Sequence, residues 1–184
     1  MDKGTGLRAD ALRNRERILA AAETVFLEQG AGASLEEVAR RAGVGIGTLY
    51  RRFPSREALL AAAWNARLLA FAQASRAEDD ARDPFSTLCA FMEGLVRNTQ
   101  IWRGLASSLG TVLQSGTPGC MAITEEGRRL LNRGQQAGAF RSDITFDDMV
   151  YMVVAVSLAA EQENASTTRI AHLVDLFLNG IQTQ

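Results

Sequence analysis

The chain has 184 residues, 47% of them hydrophobic, so it can bury the core of one long domain or two short ones. Its 20 basic and 21 acidic side chains nearly cancel, but they are unevenly distributed: residues 1–60 hold ten basic and eight acidic ones, and residues 61–184 hold ten and thirteen. Only the N-terminal part therefore favours a nucleic-acid partner.

The sequence lacks the features of several other protein classes. Cys89 and Cys120 are far apart and the one histidine, His172, falls off the apolar face of its segment, so we expect free thiols, no metal site and no cofactor. The N-terminus has no apolar stretch, the uncharged residues 104–124 contain Ser, Thr, Gly and Pro, and the apolar run 149–160 is too short to cross a bilayer. We therefore expect a soluble, cytoplasmic protein with no membrane partner.

The first predicted elements form a helix-turn-helix. Apolar residues at helical spacing from 18 to 26 predict a first helix, which a glycine ends. Ser34 and Glu37 have the spacing of a capping box, in which each side chain accepts from a free backbone N–H, and they predict the start of a second helix. Glycines at 43 and 45 mark a turn, and a short third helix ends before a proline. The motif occupies about residues 34–53.

Arginines concentrate in one stretch of this region that contains no acid. Between residues 40 and 56 there is no Asp or Glu and there are five arginines, at 40, 41, 51, 52 and 56. We expect those at 40 and 41 to be solvated. A local excess of positive charge on a nearly neutral chain indicates a phosphate-bearing partner.

The remaining sequence predicts further helices and no convincing strand. Ser55 caps a fourth helix that runs to an acidic segment at 78–80 and joins the two halves of the chain. Aspartate or threonine followed by proline predicts two more helix starts, and Thr145 and Ser166 begin the last two. The fold class that follows is all-α with about nine helices.

Four segments in register resemble the tetracycline-repressor (TetR/AcrR) family of bacterial transcription regulators. They are RILAAAETVFLEQG, the SLEEVA helix start, AGVGIGTLYRRF and PSREALL, and they lie between about Arg13 and Leu60. The chain has Arg52 where the family often has His, and Arg56 where it often has Lys. The resemblance implies a DNA-binding domain at 1–54 and a helical ligand-binding and dimerisation domain at 55–184.

The resemblance also implies roles for individual residues in DNA binding. The second helix of the motif would enter the major groove, with Tyr50 donating its hydroxyl to a phosphate. Whether Arg51 or Arg52 reaches a guanine edge or a phosphate stays open. A flexible N-terminal arm carrying Lys3, Arg8, Arg13 or Arg15 would follow the DNA backbone or minor groove. The implied DNA-binding residues are Ser34, Gly45, Gly47, Thr48, Tyr50, Arg51, Arg52, Ser55 and Arg56.

The C-terminal part is expected to hold a small apolar or neutral inducer and a second copy of the chain. The polar anchors for the inducer would be Asn98, Gln100 or Gln114. The implied pocket residues are Trp64, Phe71, Phe91, Met92, Leu95, Trp102, Leu105, Leu109, Val112 and Met121. The residues of the implied dimer interface are Val153, Val156, Ala159, Ala160, Val174, Phe177, Leu178 and Ile181; an internal core face is the alternative for them.

The predicted function is therefore a repressor that binds palindromic double-stranded operator DNA as a homodimer and is released by its inducer. An enzyme is disfavoured, because the chain offers one histidine and no catalytic spacing of nucleophile and base. The alternative that stays open is a helical ligand-binding or protein-interaction module that no longer regulates DNA.

Overall fold

The computed structural model describes residues 3–78 and 83–183, and for residues 3–9 and 78 the backbone alone. Over the described residues the protein is all-helical, as predicted, with nine α-helices and one short 3₁₀ turn at Leu105–Ser108. The α-helices are α1 (Lys3–Gln29), α2 (Leu35–Ala42), α3 (Ile46–Arg52), α4 (Arg56–Glu78), α5 (Pro84–Thr99), α6 (Leu109–Leu113), α7 (Pro118–Gln136), α8 (Phe146–Glu163) and α9 (Thr167–Gly180).

The predicted helix starts are confirmed by their capping hydrogen bonds. Asp83, Thr117, Thr145 and Ser166 each accept from the backbone N–H three residues further on. Helix α6 and the 3₁₀ turn before it were not predicted, because elements of one turn carry too little apolar periodicity to be read.

The predicted flexible arm is wrong for the part of it that is described. The backbone is helical from Lys3 onward, so Arg13 and Arg15 lie on α1. The segment is rich in Ala, Leu, Arg and Glu, which favour helix over coil. The side chains of Lys3 and Arg8 lie outside the described part of the chain, as does most of the acidic segment near residue 80.

Helix α4 connects the two halves of the molecule. It packs against α1, α6 and α7, while α5 packs against α7, α8 and α9. Buried apolar side chains form one continuous core from Ile18 on α1, through Leu60 and Leu68 on α4, to Ile181 after α9. No helix of the described chain is long and apolar enough to cross a membrane.

A buried carboxylate joins α4 to α7. Glu126 on α7 is fully buried and accepts hydrogen bonds from Ser75 Oγ and Arg76 Nε on α4, both at 2.9 Å. Arg129 on α7 donates to it through Nε and Nη2, also at 2.9 Å. Burial raises the pKa of Glu126, but these hydrogen bonds outweigh burial, so the net pKa lies below the usual value.

Candidate nucleic-acid interface

Helix α2 begins at the predicted residue, but with different hydrogen bonds. Ser34 Oγ accepts from the backbone N–H groups of Glu36 at 3.1 Å and Glu37 at 3.4 Å. The Glu37 carboxylate does not complete a capping box; it accepts instead from Arg40 and Arg41, one turn along the same helix. The predicted capping box is thus corrected to a single serine cap, because two guanidinium groups offer this carboxylate stronger, charge-assisted bonds.

The turn between α2 and α3 depends on a glycine. Gly43 ends α2 with a left-handed backbone, at φ 64° and ψ 38°, which side chains with a Cβ rarely adopt. A Cβ on Gly43 would lie 2.3 Å from Arg17 Nη2. Arg17 Nη2 also donates to the Gly43 carbonyl at 3.4 Å, so α1 supports this turn. The sequence did not indicate this role of Arg17.

Helix α3 is anchored on one side and exposed on the other. Leu49 is fully buried and Phe53, just after the helix, is 5% exposed. Tyr50 is 46% exposed, and the Arg51 and Arg52 side chains are exposed beside it. The predicted residues of α3 therefore lie together on a surface that a large partner can reach.

The two arginines of α2 are paired with acids. One acid, Glu37, lies on the same helix, and the other, Glu28, is brought close by the packing of α1. Arg40 donates twice to Glu37 at 2.8 Å, and Arg41 forms ion pairs of 2.7 Å with both Glu37 and Glu28 of α1. These hydrogen bonds lower the pKa of Glu37 to about 2, and the bond from Arg40 has the largest effect. The positive excess predicted for the motif is correspondingly smaller.

Arg56 faces the protein. Its Nη1 donates to the backbone carbonyls of Ala31 at 2.9 Å and Ala33 at 2.5 Å. The Arg56 side chain therefore links the start of α4 to the turn that joins α1 to α2. This corrects its assignment to the DNA-binding residues, because its guanidinium group is directed toward the protein. Ser55 is a helix cap, because its Oγ accepts from the Ala58 N–H at 3.1 Å.

Arg51 and Arg52 of α3 are exposed, as contact with DNA requires. Arg51 Nη2 donates to Thr48 Oγ1 at 2.9 Å, and Arg52 forms no hydrogen bond or ion pair with any described residue. Arg15 of α1 lies close by, with its guanidinium carbon 5.9 Å from the centre of the Phe53 ring. Arg13 is paired with Asp10 on the same helix. Positive charge is thus centred on α3 and on the adjacent side of α1.

The predicted pocket residues are divided between different clefts and the core. Most of them are core residues, while Met121 is 54% exposed on α7 and cannot line an interior pocket, which corrects that assignment. Trp64 and Trp102 lie 6.4 Å apart, measured between ring centres, and line a groove of about 620 Å³ between α1 and α4. Trp64 Nε1 is buried there and has no acceptor among the described residues. Phe71 and Phe91 stack on each other, with ring centres 5.5 Å apart, beside a different cleft.

The predicted polar anchors lie apart from this groove. Asn98 Nδ2 donates to the Gly94 carbonyl at 2.9 Å on its own helix, and Gln100 and Gln114 line two further clefts. The sequence did not indicate which aromatic residues would be neighbours, because that depends on how α1, α4 and the segment after α5 pack.

The predicted dimer residues are mostly internal. Each of Val153, Val156, Ala160, Val174, Leu178 and Ile181 is at most 6% exposed within a single chain, and Phe177 is half-buried. This corrects the assignment of those six residues to an interface, since α5, α8 and α9 already pack on one another, whereas for Phe177 the assignment stays a prediction. The large apolar side chains that α8 and α9 expose are Tyr151 at 75%, Leu158 at 38% and Leu176 at 55%; Ala159 is also exposed.

An all-helical protein with a glycine turn, an exposed cationic second helix and a helical C-terminal half has the architecture of a helix-turn-helix DNA-binding regulator. Residues 18–63 match the family described as bacterial regulatory proteins, tetR family. Residues 83–183 match the family described as transcriptional regulator SbtR-like, C-terminal domain. The chain belongs to the TetR family of bacterial transcriptional regulators.

Similar proteins agree with this assignment. The TetR transcriptional regulator SCO0520 from Streptomyces coelicolor is 33% identical, with 92% of this chain and 99% of that one covered and a TM-score of 0.57. The structure of RolR in complex with resorcinol shares the fold, at a TM-score of 0.74 and 22% identity over 96% of this chain and 91% of that one. The HTH-type transcriptional regulator SAB2452 of Staphylococcus aureus is 41% identical over 54 residues, which are 29% of each protein.

Proposed function

We propose that this protein is a repressor that binds a palindromic operator as a homodimer through α3 and the start of α4, and that a small apolar or neutral inducer releases it. The DNA-binding domain would comprise residues 1–54, and residues 55–184 would provide the inducer site and the dimer contact. Residues proposed to contact DNA are Ser34, Gly45, Gly47, Thr48, Tyr50, Arg51, Arg52 and the backbone at Ser55.

The observation that carries this proposal is the pair of glycines at the start of α3, of which Gly45 is the N-cap and Gly47 lies inside the helix. A Cβ on Gly45 or Gly47 would meet nothing within 4 Å, and neither has a left-handed backbone. Glycine is common at a helix N-cap, the position of Gly45, but glycine inside a helix, as at Gly47, costs about 1 kcal/mol relative to alanine. A partner that must approach the backbone closely explains their presence at the exposed start of α3, and the floor of a DNA major groove is such a partner.

Electrostatics supports the same surface. Arg51 and Arg52 carry exposed guanidinium groups, which suit either bidentate bonds to guanine or ion pairs with phosphate. The half-exposed Tyr50 places a hydroxyl next to them. Because Arg51 already contacts Thr48, its side chain is partly oriented before DNA arrives.

A dimer contact on α8 and α9 follows from the exposed apolar side chains. Tyr151, Leu158 and Leu176 would lose their contact with water if a second copy packed against them. Burial of apolar surface contributes roughly 25 cal/mol per Å² before entropy losses. Two-fold pairing would also present one α3 helix to each half-site of a palindrome, and such half-sites lie about 34–36 Å apart.

The groove of about 620 Å³ between α1 and α4 is our candidate for the inducer site. Its wall includes Trp64, Trp102 and Leu27, and its rim carries the opposite charges of Glu23 and Arg67. The Trp64 N–H is buried, so an acceptor on an apolar or neutral occupant would reach it only if the groove widened. Since both α1 and α4 line the groove, an occupant that prefers a wider groove would change the orientation of the DNA-binding helices.

The decisive experiment is footprinting on the intergenic DNA beside its own gene. We expect protection of a palindrome, and we expect Arg51→Ala and Arg52→Ala to lose roughly 1–3 kcal/mol of binding free energy wherever a base contact is removed. Arg128→Ala is the matched control, because this exposed arginine is on α7, which carries none of the residues proposed to contact DNA or the second copy. Equal affinity for unrelated DNA, or no binding at low salt, would favour the ligand-binding or protein-interaction module instead.

The inducer is tested in the same assay with candidate compounds. Both tryptophans of the chain line the groove, so a bound compound should change the intrinsic tryptophan fluorescence. A compound that changes the fluorescence but leaves operator affinity unchanged at saturation contradicts its role as an inducer.

A further inference from the structure

One peptide group lies between the DNA-binding helices and α8. The Ala31 N–H, in the turn between α1 and α2, donates to the Arg103 carbonyl at 2.8 Å. In the same peptide group, the Gly104 N–H donates to both carboxylate oxygens of Glu161 on α8, at 3.1 and 3.2 Å. The peptide group between residues 103 and 104, called the 103–104 peptide below, is thus hydrogen-bonded on both sides.

The approach on the DNA-binding side is close. A Cβ on Gly30 would lie 2.6 Å from the Arg103 carbonyl oxygen, so only a glycine allows the turn to come this near. Trp102, the residue before Arg103, packs on Phe26 of α1 with ring centres 5.4 Å apart. This packing also holds the Arg103 carbonyl near the turn. The turn therefore has a fixed position relative to the residues that follow α5.

Glycine also matters on the α8 side. Gly104 has φ 82°, in the left-handed region that favours glycine, and it is this residue whose N–H contacts the Glu161 carboxylate. A charged acceptor strengthens this hydrogen bond, and a bond that polarises a peptide N–H also makes the carbonyl of that peptide a better acceptor. Glu161 thus strengthens the bond that the Ala31 N–H makes on the other side.

The turn is held from two directions. Arg56 of α4 binds the carbonyls of Ala31 and Ala33, while the 103–104 peptide binds the Ala31 N–H. Helix α4 is therefore not the only connection between α3 and the rest of the molecule. The second connection runs from α8 through Glu161 and the 103–104 peptide to the turn that precedes α2.

We propose that Glu161 is a positioning residue for DNA binding, which fixes the α1–α2 turn through the 103–104 peptide and couples the orientation of the DNA-binding helices to α8. The inference deepens the proposed function, since it rests on α3 being the DNA-reading helix. Loss of the carboxylate leaves the turn free to adopt several orientations, and only a fraction of them matches the operator.

The test compares Glu161→Ala and Glu161→Gln with Glu163→Gln, an exposed acid of the same helix. Removing a negative charge from a DNA-binding protein should by itself leave the operator Kd unchanged or slightly lower. The positioning role predicts the opposite sign: Glu161→Ala raises the Kd for the DNA fragment beside the gene roughly two- to thirtyfold. Glu161→Gln should fall between Glu161→Ala and the wild type, because its amide oxygen still accepts one hydrogen bond.

Amide hydrogen exchange without DNA provides the second measurement. In Glu161→Ala we expect faster exchange at Gly104, and also at Ala31, which does not touch Glu161. Unchanged exchange at Ala31, or a fall in Kd like that of Glu163→Gln, would overturn the inference. Thermal unfolding and the oligomeric state are measured in parallel, so that a general loss of structure is recognised.

The two proposals fail in different ways. If Arg51→Ala and Arg52→Ala leave DNA binding unchanged, the DNA-reading surface is wrong, whatever Glu161 does. If they weaken binding while both Glu161 variants bind DNA as the wild type does, only the positioning role of Glu161 is wrong.

Discussion

The arginines of the helix-turn-helix have different roles although they lie close together in the sequence. Arg40 and Arg41 pair with acids, Arg56 binds two backbone carbonyls, and Arg51 and Arg52 remain exposed. The pairing of Arg40 with Glu37 follows from helical spacing of three residues. The contacts of Arg41 with Glu28 and of Arg56 with Ala31 join residues far apart in the sequence, so no local pattern indicates them.

The lowered pKa of Glu37 predicts a pH-dependent stability. The folded pKa of about 2 lies below the ordinary value of 4.5, so the unfolded state takes up a proton first as the pH falls. The stabilisation is complete above the ordinary value and is lost between about pH 4.5 and pH 2. Urea denaturation of the wild type and Glu37→Gln across this range should show their unfolding free energies converging toward low pH. A difference that stays constant would contradict the pairing with Arg40 and Arg41.

At the scale of helices, the contact between α4 and α7 is notable for its buried charge. Glu126 is fully buried, whereas the side chains of Arg76 and Arg129 remain 51% and 39% exposed. The carboxylate therefore depends on its donors more than they depend on it. We infer that this group of residues fixes the position of the C-terminal half of α4 along α7.

We expect Glu126→Gln to lower the unfolding free energy by about 1–3 kcal/mol, because the amide loses the charge-assisted bonds and turns a donor toward two guanidinium groups. Chemical denaturation measures this change. The neighbouring Glu125→Gln is the control: Glu125 is 66% exposed and 3.8 Å from Arg76, so its effect should be close to zero. Equal effects of the two substitutions would show that burial of Glu126 does not matter.

Helix α8 shows why the interface residues were misassigned. It carries apolar residues on nearly every side, so the sequence does not indicate which of them face α5 and α9 and which face solvent. The predicted residues Val153 and Val156 belong to the inward side, and Tyr151 and Leu158 belong to the outward side. The choice is made by packing with other helices.

For the whole molecule, oligomeric state and DNA binding should change together. Leu158→Glu would place like charges opposite each other across a two-fold contact, so we expect dissociation into monomers and a large loss of operator affinity. Analytical ultracentrifugation at micromolar concentration and the footprinting assay measure the two effects. Met121→Glu is the matched control, because Met121 is also exposed but lies on α7. A Leu158→Glu variant that remains dimeric would exclude this face as the interface.

The sequence by itself determined the helical fold, most helix boundaries, the position of the helix-turn-helix and the family. These depend on local chemistry: capping by Ser34 or Asp83, the left-handed turn at Gly43 and the spacing of apolar residues within each helix. Local patterns of this kind extend over a few residues and can be read without knowledge of the fold.

Only the tertiary structure decided which side of α8 is free, which tryptophans meet in the groove between α1 and α4, and that Arg56 faces inward. It also revealed the 103–104 peptide between Ala31 and Glu161. Each of these depends on contacts between residues tens of positions apart. The energy of such contacts is set by how whole helices pack, and the spacing of residues within one helix carries no information about it.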